Sequence, residues 1–222
     1  MPPMSATSAL PAALAHDLDT GLDRLGVDLP ADARGQLLEF LDLLARWNRT
    51  YNLSAVREPA EMLVRHVFDS LAVLPHVRGP RVADIGSGPG LPGLVLAIAD
   101  PSLRLLLVDS NGKMARFQRE AIRALGLSDR CQVAQARAES LSDDRGYDTI
   151  TSRAFAQLSD FVDNARGLAR PDTRWLAMKG RLPEDEIAAL PAGFRVEAVV
   201  PLSVPGLAAQ RHAIIMAGPL GP

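Results

Sequence analysis

The sequence predicts an α/β protein whose sheet is mostly parallel, ends in an antiparallel hairpin and follows an all-helical extension. Two observations carry this. From residue 81 onward, short apolar runs of strand length alternate with helical repeats, the pattern of parallel strands joined by right-handed crossovers. Near the end, residues 194–200 and 212–217 form two strand-like runs with no room for a helix between them. That is a hairpin, and it puts one antiparallel strand into the sheet.

The elements follow in chain order. Residues 1–11 are rich in Pro, Ala and Ser and read as a frayed start. Over residues 12–25, Leu14, Leu18, Leu22 and Leu25 fall at helical spacing. Leu29-Pro30-Ala31-Asp32 then carries helix start signals, and Leu37, Leu38, Leu41, Leu44 and Trp47 form one apolar stripe. Residues 48–54 read as an irregular loop. A further helix is expected over 59–74, broken by Pro75. After Gly79-Pro80 the period changes. Strands are expected at 81–85, 103–108, 131–134, 147–151 and 174–178, with helices at 91–99, 113–125 and 158–168 and a short one after Pro183. The expected organisation is a helical extension over 12–78, a core over 79–217 and a tail at 218–222. No internal repeat is visible.

Composition narrows the function classes. The 222 residues are 47% hydrophobic and 23% charged, an ordinary globular balance. A single cysteine, Cys131, rules out an internal disulfide and any zinc site built on cysteines. No apolar run approaches the ~20 residues of a membrane span, and the first residues lack a positively charged signal region. A cytoplasmic protein is the expectation. The net charge of −2 argues against a broad cationic nucleic-acid footprint, but it is unevenly spread. Residues 1–45 hold two arginines against seven acidic side chains, whereas the rest hold 22 basic and 19 acidic ones. All but two of the basic residues are arginines, which supply forked contacts to phosphate that lysine cannot.

The most informative segment is Asp84-Ile85-Gly86-Ser87-Gly88-Pro89-Gly90-Leu91-Pro92-Gly93, between the first strand and its crossover helix. Glycines at alternate positions let the backbone turn sharply and approach a ligand with no Cβ in the way. The stretch 88–93 formally matches the dinucleotide fingerprint G-x-G-x-x-G. Two prolines, however, remove N–H donors that a pyrophosphate needs. An acidic residue before the turn also repels a pyrophosphate and suits a ligand carrying an ammonium group. S-adenosylmethionine is such a ligand, and Gly86, Gly88 and Gly90 are its candidate contacts. Asp109, closing the second strand, can accept hydrogen bonds from both ribose hydroxyls. It could also cap the helix that starts near Asn111, but the glycine loop at the right distance favours ribose binding.

Further motifs occur in order along the chain. They are Trp47-Asn48-x-x-Tyr51-Asn52-Leu53, Arg65-His66-x-x-Asp69-Ser70-Leu71, the glycine loop, Ser152-Arg153-Ala154, Met178-Lys179-Gly180 and Arg211-His212. Together they closely resemble the bacterial small-subunit ribosomal RNA guanine-N7 methyltransferase family, also called glucose-inhibited division protein B. The resemblance covers roughly residues 36–217. It implies a class I, Rossmann-like methyltransferase that uses S-adenosylmethionine to methylate N7 of a guanine in the decoding-region loop of 16S rRNA. Carried over by position, it puts cofactor contacts on Gly86, Leu91, Ala138, Glu139 and Arg153, and substrate or active-site roles on Arg137, Lys179 and Arg211. The partner it implies is 16S rRNA or the assembling 30S subunit. Ser54 stands where many relatives have Thr.

The chemistry fits the lack of an obvious base. N7 of guanine has an exposed lone pair and no proton to lose, so positioning supplies most of the acceleration and neither a base nor a metal is needed. His66, His76 and His212 are spread over different elements and read as structural. Arg153 can meet either the cofactor carboxylate or guanine O6; a bond to N7 itself would block methylation. Trp47 continues an apolar stripe and reads as core, while Tyr51 and Asn52, beyond the helix, are the better RNA-surface candidates. The glycine loop alone does not exclude a small-molecule methyltransferase or a non-catalytic S-adenosylmethionine-binding regulator. No feature demands a dimer, and a monomer is expected.

Overall fold

A computed structural model describes residues 10, 13–153, 155 and 157–218. The start expected to fray lies outside the described residues except for Leu10, and so does the tail beyond Gly218.

The extension opens with α1 (Ala13–Leu25), which buries Leu14, Leu18 and Leu22, and α2 (Ala31–Tyr51), which buries Leu37, Phe40, Leu41 and Leu44. Here the expectation for residues 48–54 is corrected, because α2 continues to Tyr51. The Trp47 and Tyr51 rings, one turn apart, pack at a 36° tilt with centroids 5.1 Å apart, and Trp47 meets Phe117 edge-on at 5.6 Å. Those contacts hold a last turn that intrinsic propensity leaves undecided. Asn52 closes the helix in the left-handed region (φ 50, ψ 58), its N–H donating to the Asn48 carbonyl.

The third helical segment is less regular than its periodicity suggests. It runs through α3 (Pro59–Met62), a π-helical turn (Leu63–Phe68) and α4 (Asp69–Leu71), with a separate 3₁₀ turn at Leu74–His76. The wide turn is anchored where the Phe68 ring fills the place a side chain would take at Gly21 of α1.

The core then alternates β1 (Arg81–Ile85), α5 (Gly93–Ala99), β2 (Arg104–Val108), α6 (Gly112–Ala124), β3 (Cys131–Ala134), β4 (Thr149–Ser152), α7 (Leu158–Asn164), β5 (Arg174–Lys179), α8 (Glu184–Ala188), β6 (Arg195–Pro201) and β7 (His212–Ala217). The sheet order is β3-β2-β1-β4-β5-β7-β6, and β7 runs antiparallel to both of its neighbours. The expected hairpin is present, with its second strand inserted beside β5. One apolar cluster joins the extension to α5 and α6 through Phe40, Leu44, Leu63, Leu94, Ile98 and Phe117. A second lies on the other face around Trp175, Phe161 and Ile214. The strand order reverses between β1 and β4, and that point is where an open parallel sheet leaves a crevice at its carboxyl ends.

Candidate active site

Two compartments lie at that crevice. The first is a cavity of about 230 Å³ walled by Gly86, Val108, Asp109, Ser110, Arg137, Ala138, Glu139 and Phe155. Its floor is the glycine loop. Gly86 takes φ +64, a conformation costly for any side chain, and its bare Cα faces the Phe155 ring. Five of the loop's N–H groups are already spent. Ser87 donates to Val108 O, Gly88 to Asp109 Oδ2, Gly90 and Leu91 to Ser87 O, and Gly93 to Asp84 Oδ2, all within 2.8–3.1 Å. A pyrophosphate wants those donors free, so the loop is unsuited to a dinucleotide.

The sequence suggested that Asp84 would face a ligand's ammonium group. It does not. Asp84 is fully buried beneath the loop, one oxygen on Gly93 N–H and the other without a partner. Burial pushes its carboxyl up to about 7. It is a strut that ties the end of β1 to the first turn of α5. Gly93 permits this closeness: a Cβ there would overlap the Leu107 side chain and lie 2.8 Å from Asp84 Oδ2. Gln118 of α6, which the sequence reading did not single out, props the loop from below, donating from Nε2 to Ser87 Oγ (2.8 Å) and Gly88 O (2.6 Å).

The second compartment, of about 320 Å³, is lined by Val56, Arg65, His66, Asp69, Arg153, Met178, Lys179, Gly180 and Arg211. Four cations line this cleft; Arg65 and Lys179 are paired with Glu61 and Glu186, and Arg153 and Arg211 share Asp69. Asp69 is 2% exposed and takes Arg211 Nε on Oδ1 at 2.9 Å and Arg153 Nη1 on Oδ2 at 3.4 Å. Arg153 Nη1 also donates to the Arg65 carbonyl at 3.0 Å. Burial lowers the Arg153 pKa, while Asp69 and Asp84 oppose that shift. Lys179 Nζ reaches Phe155 O (2.9 Å) and Glu186 Oε2 (2.7 Å), bracing the segment after β4. His66 is held down to about 4, first by burial and then by the Arg153 charge, so it is neutral near pH 7. Its Nε2 lies 2.8 Å from Ser54 Oγ. Asn48, buried in α2, accepts from Ser54 N–H and donates to Val56 O, pinning the loop that carries Val56 to the cleft.

The proposed site residues therefore divide. Arg153, Lys179 and Arg211 come together in the cleft, and Gly86, Asp109, Ala138 and Glu139 in the cavity. Arg137 stands on the cavity's outer wall, 3.9 Å from Glu139, with 78% of its side chain exposed. Leu91 is buried in the apolar core, and Gly88 and Gly90 are turned into the loop's own hydrogen bonds. Asn52, at the end of α2, accepts from Arg57 Nη2 at 2.6 Å outside both compartments. Asp109 accepts Gly88 N–H on Oδ2 and Asn111 N–H on Oδ1 at the cavity rim, while the cap of α6 is Asn111, whose side chain accepts from Lys113 N–H. Asp69 and His66 were missed as cleft residues. The available signal was the Arg65-His66-x-x-Asp69-Ser70-Leu71 motif itself, whose polar residues fall at helical spacing.

A wider groove of about 430 Å³ at the opposite edge of the strands, between Arg81, Arg104, Arg130 and Arg145, is partly neutralised by Asp129 and Asp143. It is remote from the glycine loop. Among the described residues, no group of acidic, His and Cys side chains is placed to hold a metal, and no helix is long and apolar enough to cross a membrane.

Comparison with known proteins agrees with this geometry. By fold, the chain is similar to the mitomycin 7-O-methyltransferase MmcR (TM-score 0.60, 19% identity, covering 91% of this chain and 67% of that one). It is also similar to a SAM-dependent methyltransferase from Aquifex aeolicus (TM-score 0.54, 20% identity, 71% and 93%). These identities speak to fold alone: the Rossmann-like fold of class I S-adenosylmethionine-dependent methyltransferases. In sequence it is 52% identical over 210 residues to the ribosomal RNA small subunit methyltransferase G of Stenotrophomonas maltophilia (strain K279a), covering 95% of this chain and 98% of that protein. The protein of the same name from Alkalilimnicola ehrlichii is 50% identical over 216 residues, covering 97% and 96%. A family model described as GidB, rRNA small subunit methyltransferase G, matches residues 34–215. The chain belongs to that methyltransferase family.

Proposed function

We propose that this protein transfers a methyl group from S-adenosylmethionine to N7 of a guanine in the decoding-region loop of 16S rRNA, with the rRNA or the assembling 30S subunit as its cytoplasmic partner. The observation that carries the reading is the pairing of two unlike compartments on one sheet edge. One is a glycine-floored cavity with an acidic rim; the other is an arginine-lined cleft in which Asp69 is paired with two arginines and His66 Nε2 lies against Ser54 Oγ. The cavity suits the cofactor because Gly86 leaves room over the loop and the Asp109 oxygens stand at the end of β2, at ribose height. Ala138 and Glu139 would line the adenosine side. The cofactor, when bound, supplies a methyl group already activated on sulfur.

In this reading the chain's own task is placement. The N7 lone pair attacks in line and needs no proton removed, so a neutral His66 is no obstacle. Arg153, between cavity and cleft, holds guanine O6 or the cofactor carboxylate, and Arg211 anchors the nucleotide from the other side of Asp69. Lys179 braces the segment carrying Phe155, which closes the cavity over Gly86. The extension over residues 12–78 is proposed as the part that brings Arg65, His66 and Asp69 to a core spanning 79–217, in a monomeric enzyme.

The test incubates the protein with labelled S-adenosylmethionine and 30S subunits, either unmodified or already mature. Label should enter the unmodified particle or its RNA at a guanine N7, read by strand cleavage at the methylated base, and should not enter the mature one. Transfer to small metabolites but to neither the particle nor its RNA would overturn the reading.

A further inference from the structure

Asp69 heads α4, directly after the π-helical turn, and no motif-based role reaches it. Its carboxylate is buried, yet each oxygen receives a guanidinium from a different part of the core: Arg211 from the connection into β7, and Arg153 from the end of β4. Each arginine has five N–H donors. Arg153 spends Nη1 on Asp69 and the Arg65 carbonyl; Arg211 spends Nε on Asp69 and Nη1 on Gln210 O. In both, Nη2 makes no hydrogen bond to the described protein, and both side chains line the cleft. Without the carboxylate, two like charges would face each other in a confined, poorly solvated space, and each would turn away.

We infer that Asp69 is the positioning residue of the methyl-acceptor site, holding Arg153 and Arg211 at one separation so that their unspent N–H groups converge on the substrate. This rests on the proposed rRNA activity. It also gives the helical extension a reason to be attached to the core, since the extension contributes the carboxylate that sets two core arginines. The π-helical turn fits this use. A helix widened by one residue turns both the Arg65 carbonyl and the Asp69 carboxylate toward Arg153, and such bulges concentrate at functional sites.

The test compares wild type, Asp69→Asn, Arg211→Gln and the double variant in methyl transfer to unmodified 30S subunits. S-adenosylmethionine affinity is measured by calorimetry on the same preparations. Asp69→Asn should lower kcat by about thirtyfold or more and leave cofactor Kd within about threefold, since the loss is one of orientation. In the Arg211→Gln background the same change should cost much less, roughly fivefold, because half of what Asp69 positions is already gone. An equal factor in both backgrounds, or wild-type kcat in Asp69→Asn, overturns the inference. Should Asp69→Asn fail to fold, Asp69→Glu keeps the charge but moves it by one methylene. That variant should fold and bind cofactor yet lose roughly tenfold or more in kcat, and wild-type kcat would again refute the role. If wild type itself leaves unmodified 30S unmethylated, it is the rRNA reading that fails.

Discussion

The two compartments at the sheet edge are built on opposite principles. The glycine-loop cavity has a floor of neighbouring residues, Asp84–Gly93, held by Asp84, Asp109 and Gln118, and walls supplied by 108–110, 136–139 and Phe155. The arginine cleft is assembled from five separate segments, around 56, 65–69, 153, 178–180 and 211, and one buried carboxylate holds it. The floor of the first is fixed by local geometry. The second is a charge arrangement fixed by tertiary packing. A change in the loop should therefore act through stability and cofactor affinity, and a change in the cleft through turnover.

The largest expected effect breaks the local side. Gly93→Val would drive a branched side chain into Leu107 and Asp84, costing about 3 kcal/mol or more of stability, read as a lowered urea midpoint. An unchanged midpoint would mean that α5 and β1 are not locked as described.

A smaller effect follows from the rim. Asp109→Ala removes the acceptor of the Gly88 and Asn111 N–H groups and the proposed ribose contact. It should weaken S-adenosylmethionine binding by roughly ten- to a hundredfold with a much smaller change in the apparent KM for 30S. Unchanged affinity by calorimetry would remove Asp109 from the cofactor site.

The third effect is a pH signature of the buried groups, and the signs oppose. Asp84, raised to about 7, binds more protons folded than unfolded, so its contribution is present in acid and is lost as pH rises from about 4 to 7. His66, lowered to about 4, binds fewer protons folded, so stability rises with pH over nearly the same window, from about 4 to 6.5. Wild type should have a shallow profile there. Asp84→Asn removes the first slope, so its stability relative to wild type should improve by about 2–4 kcal/mol between pH 4 and 7. Parallel thermal-melting profiles would show that Asp84 is not a buried, proton-retaining group.

How far the sequence could be read follows the same division. Strand and helix alternation, the terminal hairpin and the glycine loop were legible because each is written in neighbouring residues. The end of α2 departs from local propensity because Trp47 packs on Tyr51 and, across 70 positions, on Phe117. Asp84 was read as a ligand contact because its sequence position is right; only the packing of Gly93 against it shows that it points into the protein. Arg153, Lys179 and Arg211 were found through the resemblance. Asp69 and His66, their partners in space, lie in the Arg65-His66-x-x-Asp69-Ser70-Leu71 motif, but nothing local in it marks the partnership.

The most direct test of the two-compartment account is a single pair of measurements on Arg211→Gln: S-adenosylmethionine affinity by calorimetry, and methyl transfer to unmodified 30S subunits. The account predicts cofactor Kd within about twofold of wild type and transfer reduced by roughly thirtyfold or more. Loss of cofactor binding in proportion to the loss of transfer would contradict it, because cavity and cleft would then be one site.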